Sequence, residues 1–201
     1  MKQAIKEFRG KYYFLSNFSS YPVTYQGIQY KNNEAAFQSM KVLDEKKRKQ
    51  FENLPPNKAK ALGRRVALRN DWESVKDRIM YEIVKAKFTD NPELANQLLD
   101  TGDAELVEGN HWNDTYWGVC KGKGLNKLGK ILMRVRDELK EERSSEQVSK
   151  EAYVLKKVEY LIALKRVENK KIDPEVLDDL MKQWSFDYEM EKEYQPKVLM
   201  K

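Results

Sequence analysis

Apolar and polar positions change period several times over the first 140 residues, and each change marks an element. Aromatics cluster between Ala4 and Phe18 (Phe8, Tyr12, Tyr13, Phe14, Phe18). They predict one or two short strands with a turn at Arg9-Gly10. Val23 and Tyr25, then Ile28 and Tyr30, alternate with polar neighbours on either side of Gln26-Gly27, which predicts a hairpin. The period then becomes helical. Asn32 or Asn33 caps a helix to about Asp44. A second helix follows Pro55-Pro56, capped by Asn57 and carrying Ala59, Leu62 and Val66. Asp71 caps a third, with Val75, Ile79, Ile83 and Ala86 at helical spacing. Asn91-Pro92 opens a fourth through Leu94, Leu98 and Leu99, and Thr101-Gly102 closes it.

Leu106-Val107 is a short strand candidate. Gly109 to Gly124, rich in Gly, Asn and aromatics, reads as a loop, and a loop of that composition is a good place for function. Leu125, Leu128, Leu132, Val135 and Leu139 then form the stripe of a long helix. Between Glu141 and Ser149 the chain turns charged and Ser-rich, and a domain boundary is expected there. Beyond it, Val154, Leu155, Val158, Leu161 and Ile162 mark one amphipathic helix, and Asp173-Pro174 starts another with Val176, Leu177, Leu180, Met181 and Trp184. From Asp187 the pattern fades and fraying is expected. The fold class is α+β and mainly helical: one domain with short strands over residues 1–140, and a helical C-terminal appendage over 141–201 whose role the pattern leaves open.

Composition narrows the chemistry. Of 201 residues, 40% are hydrophobic and 11% aromatic, enough for a folded core. The net charge of +6 is uneven: residues 1–140 hold 26 Lys+Arg against 18 Asp+Glu, and residues 141–201 hold 12 against 14. The cationic first part suits phosphates or nucleic acid, or serves solubility alone. The lone Cys120 excludes an internal disulfide and points to a reducing, cytoplasmic setting. No apolar run reaches membrane-spanning length, and the first residues lack the apolar core of a signal peptide. One His and one Cys supply no cluster of zinc ligands, nothing around His111 resembles a nucleophile elbow, and Gly118, Gly122 and Gly124 have neither common phosphate-loop spacing. An enzyme of this composition works with carboxylates, lysine and bound phosphates, and no cofactor or metal is expected.

Glu34, Gln38 and Lys41 share one helix face with Phe37. Glu34 falls in the first turn, where the helix dipole favours its ionised form; it acts as a base or a stabiliser of positive charge, or simply satisfies the helix start. Lys41 lies roughly 10 Å further along the axis. It brackets a ligand with Glu34, or is a solvated lysine near a helix end. As a nucleophile it needs burial or nearby cations, and Lys46, Lys47 and Arg48 are the sequence neighbours. Trp72, Trp112, Tyr116 and Trp117 are stacking surfaces or core. Asp114 is a loop carboxylate or a turn-former, Arg64-Arg65 are phosphate ligands or solvated charges, and His111 is a polar contact.

Four stretches in order resemble the NADAR family of YbiA-like proteins. They are FLSNF at Phe14–Phe18, YQGIQYKNNEAAFQSMK from Tyr25 to Lys41, DWESVKDRIMYEIVKAKF from Asp71 to Phe88, and LLDTGDAELVEGNHWNDTYWGVCKGKGLNKLGKILMRVR from Leu98 to Arg136. The resemblance covers about the first 140 residues. It departs at Asn32, where the family commonly has a small hydroxyl residue, and at Ala35, where it has a histidine. It implies a YbiA-like fold and metal-independent cleavage of N-glycosidic bonds, a reaction whose oxocarbenium character a carboxylate stabilises. Members of the family hydrolyse phosphorylated ribosylamino-pyrimidine intermediates of riboflavin synthesis; others remove ADP-ribose from guanine in nucleic acid. The second activity is the one expected here, the first the alternative, and a non-catalytic ADP-ribose-binding module the rival. Carried onto matching positions, Glu34, Lys41 and Asp114 are the catalytic candidates, with Lys41 either a Schiff-base former or a phosphate or ribose ligand. Trp72 joins them or binds substrate, with Ser16, Asn17, Gln38, Arg64, Trp117, Gly118 and Asn126 as the other substrate-binding candidates. The expected partner is thus an ADP-ribosylated nucleic acid or a phosphorylated ribosyl small molecule.

Overall fold

Short apolar runs give short strands, each with one partner. A computed structural model describes residues 4–167 and 171–194. In it β1 (Ala4–Ile5) pairs in parallel with β4 (Glu105–Leu106), β2 (Val23–Tyr25) pairs antiparallel with β3 (Ile28–Tyr30), and β5 (Gly109–Asn110) pairs in parallel with β6 (Val119–Cys120). The β2–β3 hairpin forms where the alternation placed it. Its two turn residues are both left-handed, Gln26 at φ 48° and Gly27 at φ 77°, as a two-residue hairpin of this twist requires.

Of the one or two strands expected between Ala4 and Phe18, β1 forms, but the aromatic run after Arg9-Gly10 is not a strand. Gly10–Leu15 is a 3₁₀ helix closed by Tyr12 N–H to Arg9 O and, at its end, Ser16 N–H to Tyr13 O, both 3.0 Å. The adjacent Phe14 and Leu15 are both buried while Tyr13 is 46% exposed, so the run lacks the alternation a half-buried strand needs.

Four helices follow: α1 (Asn33–Ser39), α2 (Glu45–Lys49), α3 (Pro56–Gly63) and α4 (Trp72–Thr89). The helix expected to run to Asp44 stops at Ser39, through tight i→i+3 bonds such as Lys41 N–H to Gln38 O at 3.3 Å. Asp44 instead caps α2, accepting from Lys47 N at 2.8 Å. In α3 the cap position is Pro55, Asn57 lies inside the helix and Val66 beyond it. Asp71 precedes α4 as expected, but its carboxylate is taken by Arg69 at 2.6 and 2.7 Å and gives no side-chain cap. α5 (Pro92–Leu99) packs beside α4.

The core of the first part is built on α4. Ile79, Met80, Ile83, Val84 and Phe88 are buried, and the helix packs on α1, β2 and α5. Burying each large apolar side chain contributes ~1.5–3 kcal/mol. Among these sits Lys87, 1% exposed. Its Nζ donates to Phe14 O, to Ser16 O at 3.1 Å and to Ser19 Oγ at 2.8 Å. Burial pushes its pKa down to about 7. Three acceptors matched to three ammonium N–H groups work the other way, so the lysine staples the Ser16–Ser19 turn to α4.

The chain divides into two units, Met1–Lys140 and Glu141–Lys201. That division falls beside the boundary expected at Glu141–Ser149, but no loop marks it: α6 runs from Lys127 to Val167, one helix where two were expected. The serines fit it by donating back to carbonyls one turn earlier, Ser145 Oγ to Glu141 O at 2.8 Å and Ser149 Oγ to Ser145 O at 2.9 Å. α7 (Pro174–Tyr194) continues past Asp187. Within the second unit, Lys150 meets Glu189 at 2.8 Å and the rings of Tyr153 and Tyr188 lie 5.3 Å apart. The rest of the expected frayed end, residues 195–201, lies outside the described residues.

Candidate active site

The entry to α1 sets the site. Asn32 Oδ1 accepts from Ala35 N at 2.8 Å and its Nδ2 donates to Leu54 O at 3.0 Å, so the asparagine caps where the family has a hydroxyl. Ala35 is wholly buried. Glu34 N–H donates to Asn17 O at 3.0 Å, which ties α1 to the turn that Lys87 staples. One turn on, Gln38 Nε2 donates to Glu34 Oε1 at 2.9 Å.

Glu34 is only 6% exposed, and its pKa is raised, not lowered. Burial is the largest cause; Lys60, the Gln38 hydrogen bond and Lys41 pull the other way, and the Asp114 charge adds to the rise. Desolvation therefore outweighs the helix dipole on which the opposite expectation rested. Lys41 falls just past α1, where its Nζ donates to Gly63 O at 3.1 Å and stands 5.8 Å from the Trp72 ring. Burial lowers its pKa, Glu34 raises it, and Arg64 and Lys60 lower it further. These are the cations that act on Lys41, in place of Lys46, Lys47 and Arg48.

Aromatic rings form one wall. Phe37 lies 5.1 Å from Trp72 and 5.3 Å from Trp117, and Trp117 lies 5.1 Å from Tyr116. Lys76 Nζ sits 4.0 Å over the Tyr116 ring. Core packing and cavity lining are thus the same rings. Asp114 forms the turn, its Oδ1 accepting from the backbone N–H of Tyr116 (3.1 Å) and Trp117 (2.9 Å), and also lines the cavity.

The cavity holds about 720 Å³, within the ~300–1,000 Å³ of small-molecule sites. It brings together Ser16, Asn17, Glu34, Gln38, Lys41, Arg64, Trp72, Asp114 and Trp117. Two expected substrate-binding residues are not in its lining. A Cβ on Gly118 would fall 2.2 Å from Glu108 O, so this glycine serves close packing of backbone. Asn126 Oδ1 accepts from Glu108 N at 3.1 Å and its Nδ2 donates to Leu106 O at 2.8 Å, bracing the chain after β4. His111 is exposed and is likewise not in the lining.

The lining also includes residues that the sequence did not mark as site candidates: Arg9, Tyr13, Phe18, Lys60, Lys76 and Glu108 among them. Lys60 stands four residues before Arg64 on one helical face, a spacing that places the two side by side. Glu108 had no such signal. Its Oε2 is buried without a hydrogen-bond partner. Burial and the Asp114 charge push its pKa up to about 7, against Lys60 and Arg9. Among the described residues no group of three or more His, Cys, Asp or Glu is placed to hold a metal ion, and no helix is long and apolar enough to cross a membrane.

The family model for the NADAR domain matches residues 5–140. N-glycosidase YbiA of Escherichia coli (strain K12) is 41% identical over 128 residues, spanning 62% of this chain and 79% of that protein. An N-glycosidase of Nostoc punctiforme is 39% identical over 132 residues, 62% of this chain and 84% of its own. A riboflavin biosynthesis protein of Vibrio vulnificus is 39% identical over 132 residues, 64% of this chain and 36% of its own. The NMR structure of the Escherichia coli protein YbiA shares the fold with a TM-score of 0.64 at 39% identity, covering 71% of this chain and 89% of that one.

Proposed function

The chain belongs to the NADAR family, and on that premise we propose that it is an N-glycosidase, a hydrolase of ribose C1–N bonds, that removes ADP-ribose from guanine in nucleic acid. The observation that carries this reading is the convergence of Glu34, Lys41 and Asp114 in one cavity with Arg9, Lys60, Arg64 and Lys76. Cations in that number suit a diphosphate. Two kinds of aromatic surface suit a conjugate with two bases: the wall of buried Phe37 and Trp72 with half-buried Trp117, and Trp112 and Tyr13, which line the same cavity while 54% and 46% exposed.

In this mechanism the phosphates meet the cations and a base stacks on the aromatic wall. The Glu34 carboxylate stabilises positive charge growing on C1 as the C1–N bond lengthens, then takes a proton from the water that attacks C1. In the variant route the ribose ring opens with C1 still held to the base nitrogen as an imine; the Lys41 amine adds to C1, the C1–N bond breaks with its electron pair and a proton going to the base, and water cleaves the resulting Lys41 imine. The lowered pKa of Lys41 favours the neutral amine this needs. In this reading the chemistry runs on carboxylates and an amine without a metal, and the setting is a reducing, cytoplasmic one, which the single free Cys120 suits.

A second reading, hydrolysis of phosphorylated ribosylamino-pyrimidines, is favoured by the name of the Vibrio relative. Incubating the protein with an ADP-ribosylated guanosine oligonucleotide and, separately, with the pyrimidine ribotide separates the two. Release of unmodified guanosine oligonucleotide supports the first; turnover of the ribotide alone supports the second. Tight ADP-ribose binding without hydrolysis of either, unchanged in Glu34→Gln, makes the protein a binding module and ends the N-glycosidase reading.

A further inference from the structure

Resting on the N-glycosidase reading, we propose that Glu108 is the general acid that protonates the departing base. Glu34 and Glu108 line the same cavity and share Lys60 and Asp114 as electrostatic neighbours, but their carboxyl oxygens are treated differently. Glu34 Oε1 receives the Gln38 amide at 2.9 Å, and two lysines favour its charge. Glu34 is buried as well and burial raises its pKa, but that bond and those two charges lower the cost of its carboxylate. Glu108 Oε2 is buried and receives no hydrogen bond. A charged oxygen placed so would keep its full desolvation cost, whereas a protonated one has an O–H to offer to whatever fills the cavity. The neighbouring Asp114 charge disfavours a second anion further.

The residue is also held in place by its backbone. Glu108 N donates to Asn126 Oδ1 at 3.1 Å, Glu108 O accepts from Val119 N at 2.9 Å, and Gly118 allows the close approach behind it. This gives Asn126 and Gly118, which do not line the cavity, a reason to lie in the family-like stretch: they position the acid.

The proton balance closes. The C1–N bond breaks with its electron pair going to nitrogen, and the Glu108 O–H proton goes to the base. Water delivers hydroxyl to C1 and its proton to Glu34, and the two carboxyls exchange through solvent before the next turnover. Two carboxyls set apart by their environments are the usual arrangement for acid and base in glycoside cleavage.

The test is Glu108→Gln, with Glu108→Asp as the variant that keeps an acid. Wild-type kcat is expected to fall as pH rises through about 7, where Glu108 loses its proton. Glu108→Gln should lower kcat by ~10²–10⁴-fold and lose that alkaline limb, while Glu108→Asp keeps it. A protonated-carboxyl infrared band that titrates near neutral should vanish in Glu108→Gln. An active wild type whose alkaline limb or infrared band persists in Glu108→Gln overturns the role of Glu108 alone. A wild type that cleaves neither conjugate overturns the N-glycosidase reading and this role with it.

Discussion

Gly63→Ala tests the wall between α1 and α3 with a single methyl group. A Cβ at Gly63 would lie 2.0 Å from Gln38 Oε1, 2.8 Å from its Cδ and 2.9 Å from its Cβ. Carbon contacts are comfortable at about 3.5–4.0 Å, so Gln38 cannot escape by turning only its amide; its whole side chain must move by roughly 1 Å. Overpacking of this kind costs ~1–3 kcal/mol. Loosening the hydrogen bond from Gln38 to the Glu34 carboxylate adds to it, since bonds to charged groups contribute ~1.5–3 kcal/mol. Against this, replacing Gly by Ala inside a helix gains only ~0.5–1 kcal/mol, and Gly63 is the last residue of α3. Destabilisation wins, and Tm should fall by about 2–4 °C for each kcal/mol. Activity should suffer more. Gly63 O also holds Lys41 Nζ, so the shift reaches Glu34 and Lys41 together, and a misplacement near 1 Å can cost ~10²-fold in rate. The assay is a melting curve beside kcat/KM on the substrate that is turned over. Gly102→Ala is the control: it has open space around it but a φ of +57°, so it should cost ~1–2 kcal/mol of strain and leave kcat/KM unchanged. A Gly63→Ala protein with raised Tm and unaltered kcat/KM would refute the packing account.

Glu34→Gln should lower kcat by ~10²-fold or more yet raise Tm at pH 8. The raised pKa of Glu34 means that the fold prefers its acid form, so that stability is present at acid pH and lost as pH rises through the folded value. Melts at pH 5 and pH 8 check the sign, which is wrong if the variant gains nothing at pH 8 over pH 5. If Lys41 forms an imine, borohydride should trap a sugar adduct by mass spectrometry in the wild type, and Lys41→Ala should give none. Lys87→Met leaves three acceptors around Phe14, Ser16 and Ser19 without their donor and should cost ~3–5 kcal/mol in denaturant unfolding; a loss under 1 kcal/mol would show that the staple is idle.

Local signals were readable where local forces decide. The hairpin at Gln26-Gly27, the start of α4 after Asp71 and the Pro92 entry to α5 all follow from one turn's worth of sequence. Readings failed where a distant neighbour decides. The aromatic run at Tyr12–Phe14 winds as a 3₁₀ turn, with the Phe14 ring set 6.4 Å from that of Phe88 on α4. Most of the cavity was legible through resemblance: Glu34, Lys41, Asp114 and the tryptophans do converge in it. Lys60 and Glu108 were not, since burial by segments far along the chain makes a lone charged residue matter. The dipole argument for Glu34 was correct in kind and too small in size, because helix-end effects are worth ~0.3–1 kcal/mol at exposed sites and this carboxyl is buried.

The same electrostatics separate the two roles open to Lys41. Its pKa is lowered first by burial and then by Arg64 and Lys60, with Glu34 acting against both. A phosphate bound at Arg64 and Lys60 would cancel their repulsion and add a negative charge of its own, so it would drive Lys41 back towards the ammonium. An ammonium is a ligand and not a nucleophile. An imine mechanism therefore requires the substrate's phosphates to sit at Arg9 and Lys76, the other cations of the lining, and leave Arg64 and Lys60 unscreened. Phosphates at Arg64 make Lys41 a positioning charge for the ribose and leave hydrolysis to the two glutamates. The place of the phosphate thus decides the mechanism.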